Sequence, residues 1–386
     1  MLELGQLSEF DLKHYNINKR ASAHAIYKEL MTQLQTLQKD AVELLKSLIR
    51  TQSFSKEEHN TAELLNTFLV ERGVETIREK NNVWAFNKHF DPKKPTILLN
   101  SHHDTVKPNP GYTNDPYDPI VKDGKLFGLG SNDAGGCLVS LIATFLHFYK
   151  EENMTYNFCI AATAEEEISG FDGLELVYPK LGPIDFAIVG EPTLMDIAVA
   201  EKGLMVVDCV AHGKAGHAAR EEGENAIYIA LKDIDWIRNY KFERISPHLG
   251  PMKMSVTIIN AGYQHNVVPE KCTFTIDVRI TEEYKNEEVL KIIDDNIQSE
   301  VNPRSVRLRP SFIDPDHALV HAAIKHGAKT YGSPTTSDQA LIPVPSVKMG
   351  PGNSARSHTA NEFIWLIEID EGIEKYIKIL SEIVYA

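Results

Sequence analysis

Between residues 33 and 73 the apolar positions recur every three or four residues: Leu34, Leu37, Val42, Leu45, Leu48 and Ile49, then Leu64, Leu65, Phe68 and Leu69. That period predicts helix. Downstream the pattern changes to short, unbroken apolar runs, TILLNSH (96–102), NFCIAATA (157–164) and DFAIVGEP (185–192), with a helical stretch at 135–152 between the first two. Runs without alternation belong to strands covered on both faces, so this part predicts a mixed, mostly parallel α/β sheet with helices on it.

Near residue 200 the pattern shifts again. LMVVDCVAHG (204–213), MSVTIINAG (254–262), CTFTIDVRI (272–280) and SVRLRP (305–310) read as strands, and helices are expected at about 224–242 and 284–300. Four strands and two helices predict a small α+β unit. After 315 the earlier style returns, with a helix at 317–330, a strand at 344–350 and a terminal helix at 362–384. The expected organisation is therefore an α/β domain in two parts, 1–200 and 311–386, interrupted by an inserted domain at 201–310. Residues 1–30 read differently from the rest and are treated as a possible extension, with Met31 as a possible start.

The chain has 386 residues, enough to bury a core without metal or disulfide staples. Its formal charge of −14 repels nucleic-acid backbones and anionic membranes alike, so neither is an expected partner. No apolar run is long enough to span a bilayer, and no secretory leader is visible. The four cysteines, Cys137, Cys159, Cys209 and Cys272, are widely spaced and predict buried free thiols in a cytoplasmic protein.

Polar clusters close the apolar strands, where open α/β sheets place their sites. His102 and Asp104 form an H-x-D, and in extended chain such residues point the same way, so the carboxylate can orient the imidazole. Asp133 sits among glycines (128–136) at a helix start. Glu165, Glu166 and Glu167 follow the second run, and three adjacent carboxylates there need a positive neighbour. Glu191 ends the third run in Gly-Glu-Pro-Thr, and His358 lies in a late segment that begins Gly350-Pro351-Gly352. Together these provide the nitrogen and oxygen ligands of a two-metal site.

With these motifs the chain resembles the dinuclear zinc amidohydrolases that include acetylornithine deacetylase, succinyl-diaminopimelate desuccinylase, aminoacylases and glutamate carboxypeptidases. The resemblance covers about 90–380. It implies two Zn2+, with Co2+ able to substitute. His102 and Glu191 would bind one ion, Glu167 and His358 the other, and Asp133 both, with Asp104 orienting His102 and Glu166 as general base. It also implies that His217, in Gly-Lys-Ala-Gly-His-Ala, stabilises the oxyanion across the interface of a homodimer formed by the inserted domain. Asn266 and Arg279 match substrate-contacting positions. Arg279 and Arg356 are candidate carboxylate clamps, Lys214 a candidate for a succinyl group, and Gly352, Thr336, Ser337 and Asp338 candidate lining residues.

The Gly-Glu-Pro-Thr and Gly-Pro-Gly segments lean toward the arginine-biosynthesis branch, with an N-acetyl or N-succinyl ornithine or citrulline as substrate. The alternatives are a dipeptidase or carboxypeptidase of the same architecture, a succinyl-diaminopimelate desuccinylase, and a relative that binds without catalysis.

Overall fold

The computed structural model describes residues 20–386, with side chains from Lys28 onward. Of the segment set apart as a possible extension, residues 1–19 lie outside the described residues. Helix α1 (Arg20–Arg50) runs unbroken through Met31 and is followed by α2 (His59–Glu71). The chain then forms β1 (Thr76–Glu79) and β2 (Asn82–Phe86), two strands that the apolar pattern does not signal. β1 is polar or charged at three of its four positions, β2 is apolar beyond Asn82 but only five residues long, and they pair antiparallel at one side of the main sheet.

Next come β3 (Thr96–His102), α3 (Gly136–Phe148), β4 (Asn157–Thr163), β5 (Phe186–Val189) and β6 (Ile197–Glu201). Every residue of β3, β4 and β5 is buried, as their unbroken apolar runs require. Period two divides them between two cores. Ile97, Leu99, Phe158, Ile160, Phe186 and Ile188 face the helices α1, α3 and the C-terminal helix. Leu98, Cys159, Ala161, Ala187 and Val189 face Leu174, Val177 and Leu181 on the other side.

The second unit consists of β7 (Gly203–His212), α4 (Ala226–Asn239), β8 (Lys253–Ala261), β9 (Lys271–Ile280), α5 (Asn286–Asn296) and β10 (Glu300–Pro303). Its four strands lie antiparallel in the order β8-β9-β7-β10. Met205, Val207, Cys209 and Ala211 alternate inward from β7 onto Phe274, Ile276 and Val278, forming a core of their own under α4 and α5. The fourth strand is not the expected 305–310. The buried Asp233 carboxylate accepts the backbone N–H groups of Gln298 and Ser299, at 3.1 and 2.9 Å, turning the chain into strand earlier. Asn286 Nδ2 then holds the carbonyls of Val306 and Leu308, so 305–310 runs as irregular chain.

The chain returns with β11 (Ser311–Phe312), α6 (Ala318–Lys325), β12 (Thr330–Ser333), β13 (Ser346–Lys348) and α7 (Leu366–Val384). The helices at 317–330 and 362–384 are shorter than the periodicity suggests. Thr330–Ser333 becomes a strand on β6, and Phe363–Trp365 pairs with Lys125–Phe127. The nine-stranded sheet has the order β1-β2-β4-β3-β5-β13-β6-β11, with β12 also on β6. Its centre, β4-β3-β5-β13, is parallel throughout, and antiparallel strands flank it. Four parallel strands therefore end on one edge. All four cysteines are free and buried, and no helix among the described residues is long and apolar enough to cross a membrane.

Replacing Phe274, enclosed in the second core, with Ala is expected to cost about 3–5 kcal/mol of unfolding free energy in urea. A cost below about 1 kcal/mol would mean that this core does not hold the second unit together.

Candidate metal centre

The carboxyl edge of the parallel strands gathers the candidate ligands. His102 is the last residue of β3, Glu166 and Glu167 follow β4, Glu191 follows β5, and the segment to His358 follows β13. Asp133 comes from the loop before α3. His102 Nε2 lies 3.3 Å from Asp133 Oδ1 and 3.7 Å from Glu191 Oε1. His358 Nε2 lies 3.0 Å from Glu167 Oε2 and 3.6 Å from Asp133 Oδ2. Two three-residue groups result, each with ligand atoms close enough to hold an ion, and Asp133 presents a different oxygen to each.

The donor chemistry suits divalent ions that accept mixed nitrogen and oxygen ligands. One atom bears directly on the fit: His102 Nε2 is fully buried and has no hydrogen-bond partner, although two carboxylates face it. A cation among these atoms satisfies all three.

Asp104 contributes more than orientation of the imidazole. Its Oδ1 is 3.3 Å from His102 Nδ1, but that nitrogen is nearer to the Asp104 main-chain carbonyl, at 3.0 Å. The Asp104 carboxylate also accepts the backbone N–H groups of Glu166 (3.0 Å) and Glu167 (3.1 Å) and the Ser55 hydroxyl (2.7 Å). Burial opposes its ionisation, but His102 and Ser55 outweigh burial and hold its carboxyl below the usual range. Asp104 thus ties the loop after β4 to the end of β3.

The neighbouring acids shift the other way. Burial first, then Glu191, Asp338 and Glu167, push the Glu166 carboxyl well above the carboxylate range, with His102 working against them. Glu166 Oε2 lies 4.0 Å from His102 Nε2, beside both ligand groups but in neither. Burial and Asp133 raise Glu191 to about 8, and the hydrogen bond with Glu167 raises His358 to about 9. Glu165, the third acid of the run, turns away and accepts the Asp172 N–H at 3.4 Å.

The other candidate residues separate into three groups. Gly352 adjoins the centre with φ +88°, and a Cβ there would meet Asn132 Oδ1 at 2.5 Å. Ser337 is held by the Glu201 carboxylate, and Asp338 accepts the Thr163 hydroxyl at 2.7 Å. Arg356 is held by Glu368 through two hydrogen bonds of 2.6 and 2.9 Å and stacks over Phe363. Arg279 is paired within its strand to Asp277, with Nη1 reaching Thr336 Oγ1 at 3.4 Å. Lys214, His217 and Asn266 lie away from the ligands, around the short pairing of Gly216–His217 with Val267–Val268 in the second unit. His217 is exposed, and its ring accepts the Ala219 N–H. No hydrogen bond or ion pair joins it to the ligand groups among the described residues.

Sequence reasoning missed three contributors: Ser55 on Asp104, the buried Lys348–Glu201 ion pair next to Glu191, and Glu362, whose carboxylate holds the loop of Asp133. Glu362 lies only four residues beyond His358, but its partners are 229–232 residues away, so spacing gives no signal.

A model of Peptidase family M20/M25/M40 matches residues 98–385. A succinyl-diaminopimelate desuccinylase of Wolbachia pipientis wMel is 27% identical over 291 residues, spanning 70% of this chain and 72% of that protein. A LysW-lysine/LysW-ornithine hydrolase of Saccharolobus solfataricus is 28% identical over 371 residues, spanning 92% and 99%. Among solved structures, the YXEP protein of Bacillus subtilis, a dinuclear metal-binding peptidase of the M20 family, superimposes with a TM-score of 0.70 at 17% identity, covering 91% of this chain and 99% of that one.

Because Glu191 and His358 have raised proton affinities, ion uptake displaces protons from both. Affinity for Zn2+ is therefore expected to rise with pH up to about 8 and 9, with net proton release at pH 7 in calorimetry across buffers of different ionisation heat. Uptake without proton release would contradict these environments.

Proposed function

This chain belongs to Peptidase family M20/M25/M40, and from that membership we propose that it is a two-zinc hydrolase of the amide bond of an N-acyl amino acid, with an N-acyl ornithine or citrulline as the preferred class. The observation that carries the reading is the shared Asp133, one oxygen toward His102 and Glu191 and the other toward Glu167 and His358. The two relatives add support for the substrate class, since their names each carry a diamino acid.

In this reading His102, Asp133 and Glu191 would hold one ion, and Asp133, Glu167 and His358 would hold the other. Bound there, two divalent ions supply a water of lowered pKa and polarisation of the scissile carbonyl. Glu166 takes the proton of the attacking water and delivers it to the leaving amine. Asp104 keeps Glu166 and Glu167 in register through their backbone N–H groups.

Both candidate clamps already hold a carboxylate, Arg279 that of Asp277 and Arg356 that of Glu368, and Arg279 is preferred for the substrate carboxylate because it is the more exposed of the two. His217, with Lys214 and Asn266 beside it, serves the site of a second copy in a homodimer built through the segment 201–310. An oxyanion donor on the partner accounts for an exposed His217 that contacts nothing in its own centre.

A peptidase reading is second, favoured by the fold shared with the Bacillus subtilis peptidase. The discriminating assay compares N-acetylornithine, N-acetylcitrulline, N-succinylcitrulline and N-succinyl-diaminopimelate with dipeptides, using zinc- or cobalt-loaded protein. Turnover on an N-acyl ornithine or citrulline is expected. Turnover on dipeptides alone would replace the first reading with the second, and on none with a binding role. Glu166→Gln is expected to retain two ions while hydrolysis falls about 10²–10⁴-fold. Near-normal hydrolysis in that variant would remove Glu166 from the proton-transfer role.

A further inference from the structure

Glu362 is a buried carboxylate that the proposed chemistry does not use, yet every hydrogen bond it accepts lies in the loop that presents Asp133. Its Oε1 accepts the backbone N–H groups of Asn132 (2.8 Å) and Asp133 (2.9 Å), and its Oε2 accepts that of Gly130 (3.1 Å). Its own carbonyl accepts the Gly128 N–H at 3.0 Å. Burial and the anionic Asp133 both oppose a carboxylate at this place, and the three N–H donors offset part of that cost.

The chain direction adds a second constraint. Glu362 is followed at once by Phe363–Trp365, whose pairing with Lys125–Phe127 anchors it from behind. It is preceded by His358, a member of the other ligand group. One short segment therefore carries a ligand of one ion and grips the backbone of the ligand shared by both. Ligand side chains so oriented from outside lose affinity when the support is removed.

We propose that Glu362 is a positioning residue for the metal pair, setting the spacing of the two ion sites by clamping the Gly130–Asp133 backbone to the His358 segment. The inference rests on the two-ion reading of the centre. Because Asp133 serves both ions, loss of the clamp weakens both, whereas loss of a ligand specific to one ion weakens that ion alone.

The test is titration of the metal-free full chain with Zn2+ and with Co2+, following calorimetry and the cobalt absorption spectrum, in Glu362→Gln, Glu362→Asp and His358→Ala. In Glu362→Gln the amide nitrogen faces an N–H donor, so both affinities are expected to fall about 10–100-fold with a changed cobalt spectrum. Glu362→Asp is expected to recover part of the loss, and His358→Ala to weaken one ion only. Wild-type affinities and spectrum in a folded Glu362→Gln would overturn the proposal. If that variant does not fold, the same result in a folded Glu362→Asp overturns it. Unmodified chain that binds no ion pair would instead overturn the reading beneath it, so the two failures are distinguishable.

Discussion

Like charges gathered in a buried place are the constraint on which this molecule turns. Asp104, Asp133, Glu166, Glu167, Glu191, Asp338 and Glu362 converge where four parallel strands end, and the cationic groups near them are few. Some of these acids are stabilised by donors: Asp104 by two backbone N–H groups and a hydroxyl, Glu362 by three backbone N–H groups. Glu166 and Glu191 have no such donors, and burial beside other carboxylates raises their proton affinity, which is the condition that divalent ions relieve.

The fold explains why such a cluster is tolerated. Strands buried on both faces leave their polar residues nowhere to go except the ends, and a parallel arrangement brings those ends to one edge. His102 closes β3, Glu191 lies two residues past β5, and Glu166 and Glu167 lie three and four past β4. Asp133 comes from the loop before α3 and His358 from ten residues past β13, so those two depend on the loops that carry them.

This division also explains what could be read from the chain. TILLNSH, NFCIAAT and FAIV were legible because strands covered on both faces carry consecutive apolar residues at their centres, and the acids beyond them stood out by contrast. The strand Thr76–Glu79 was not, since an edge strand can carry a partly exposed Arg78 and Glu79, and Asn82–Phe86, although largely buried, is only five residues long. The strand Glu300–Pro303 was misplaced because its start depends on Asp233, some 65 residues away in sequence. Long-range partners hid Glu362 and Lys348 in the same way. Arg356 shows the reverse case: its position in the late loop suggested a free clamp, and Glu368, twelve residues on, takes up its fork.

The central claim is that Asp133 joins two ion sites. Anomalous diffraction at the zinc edge from crystals of the zinc-loaded chain tests it most directly. The account predicts two peaks about 3.5–4 Å apart, with one Asp133 oxygen on each. A single peak, or two that do not share Asp133, would contradict it.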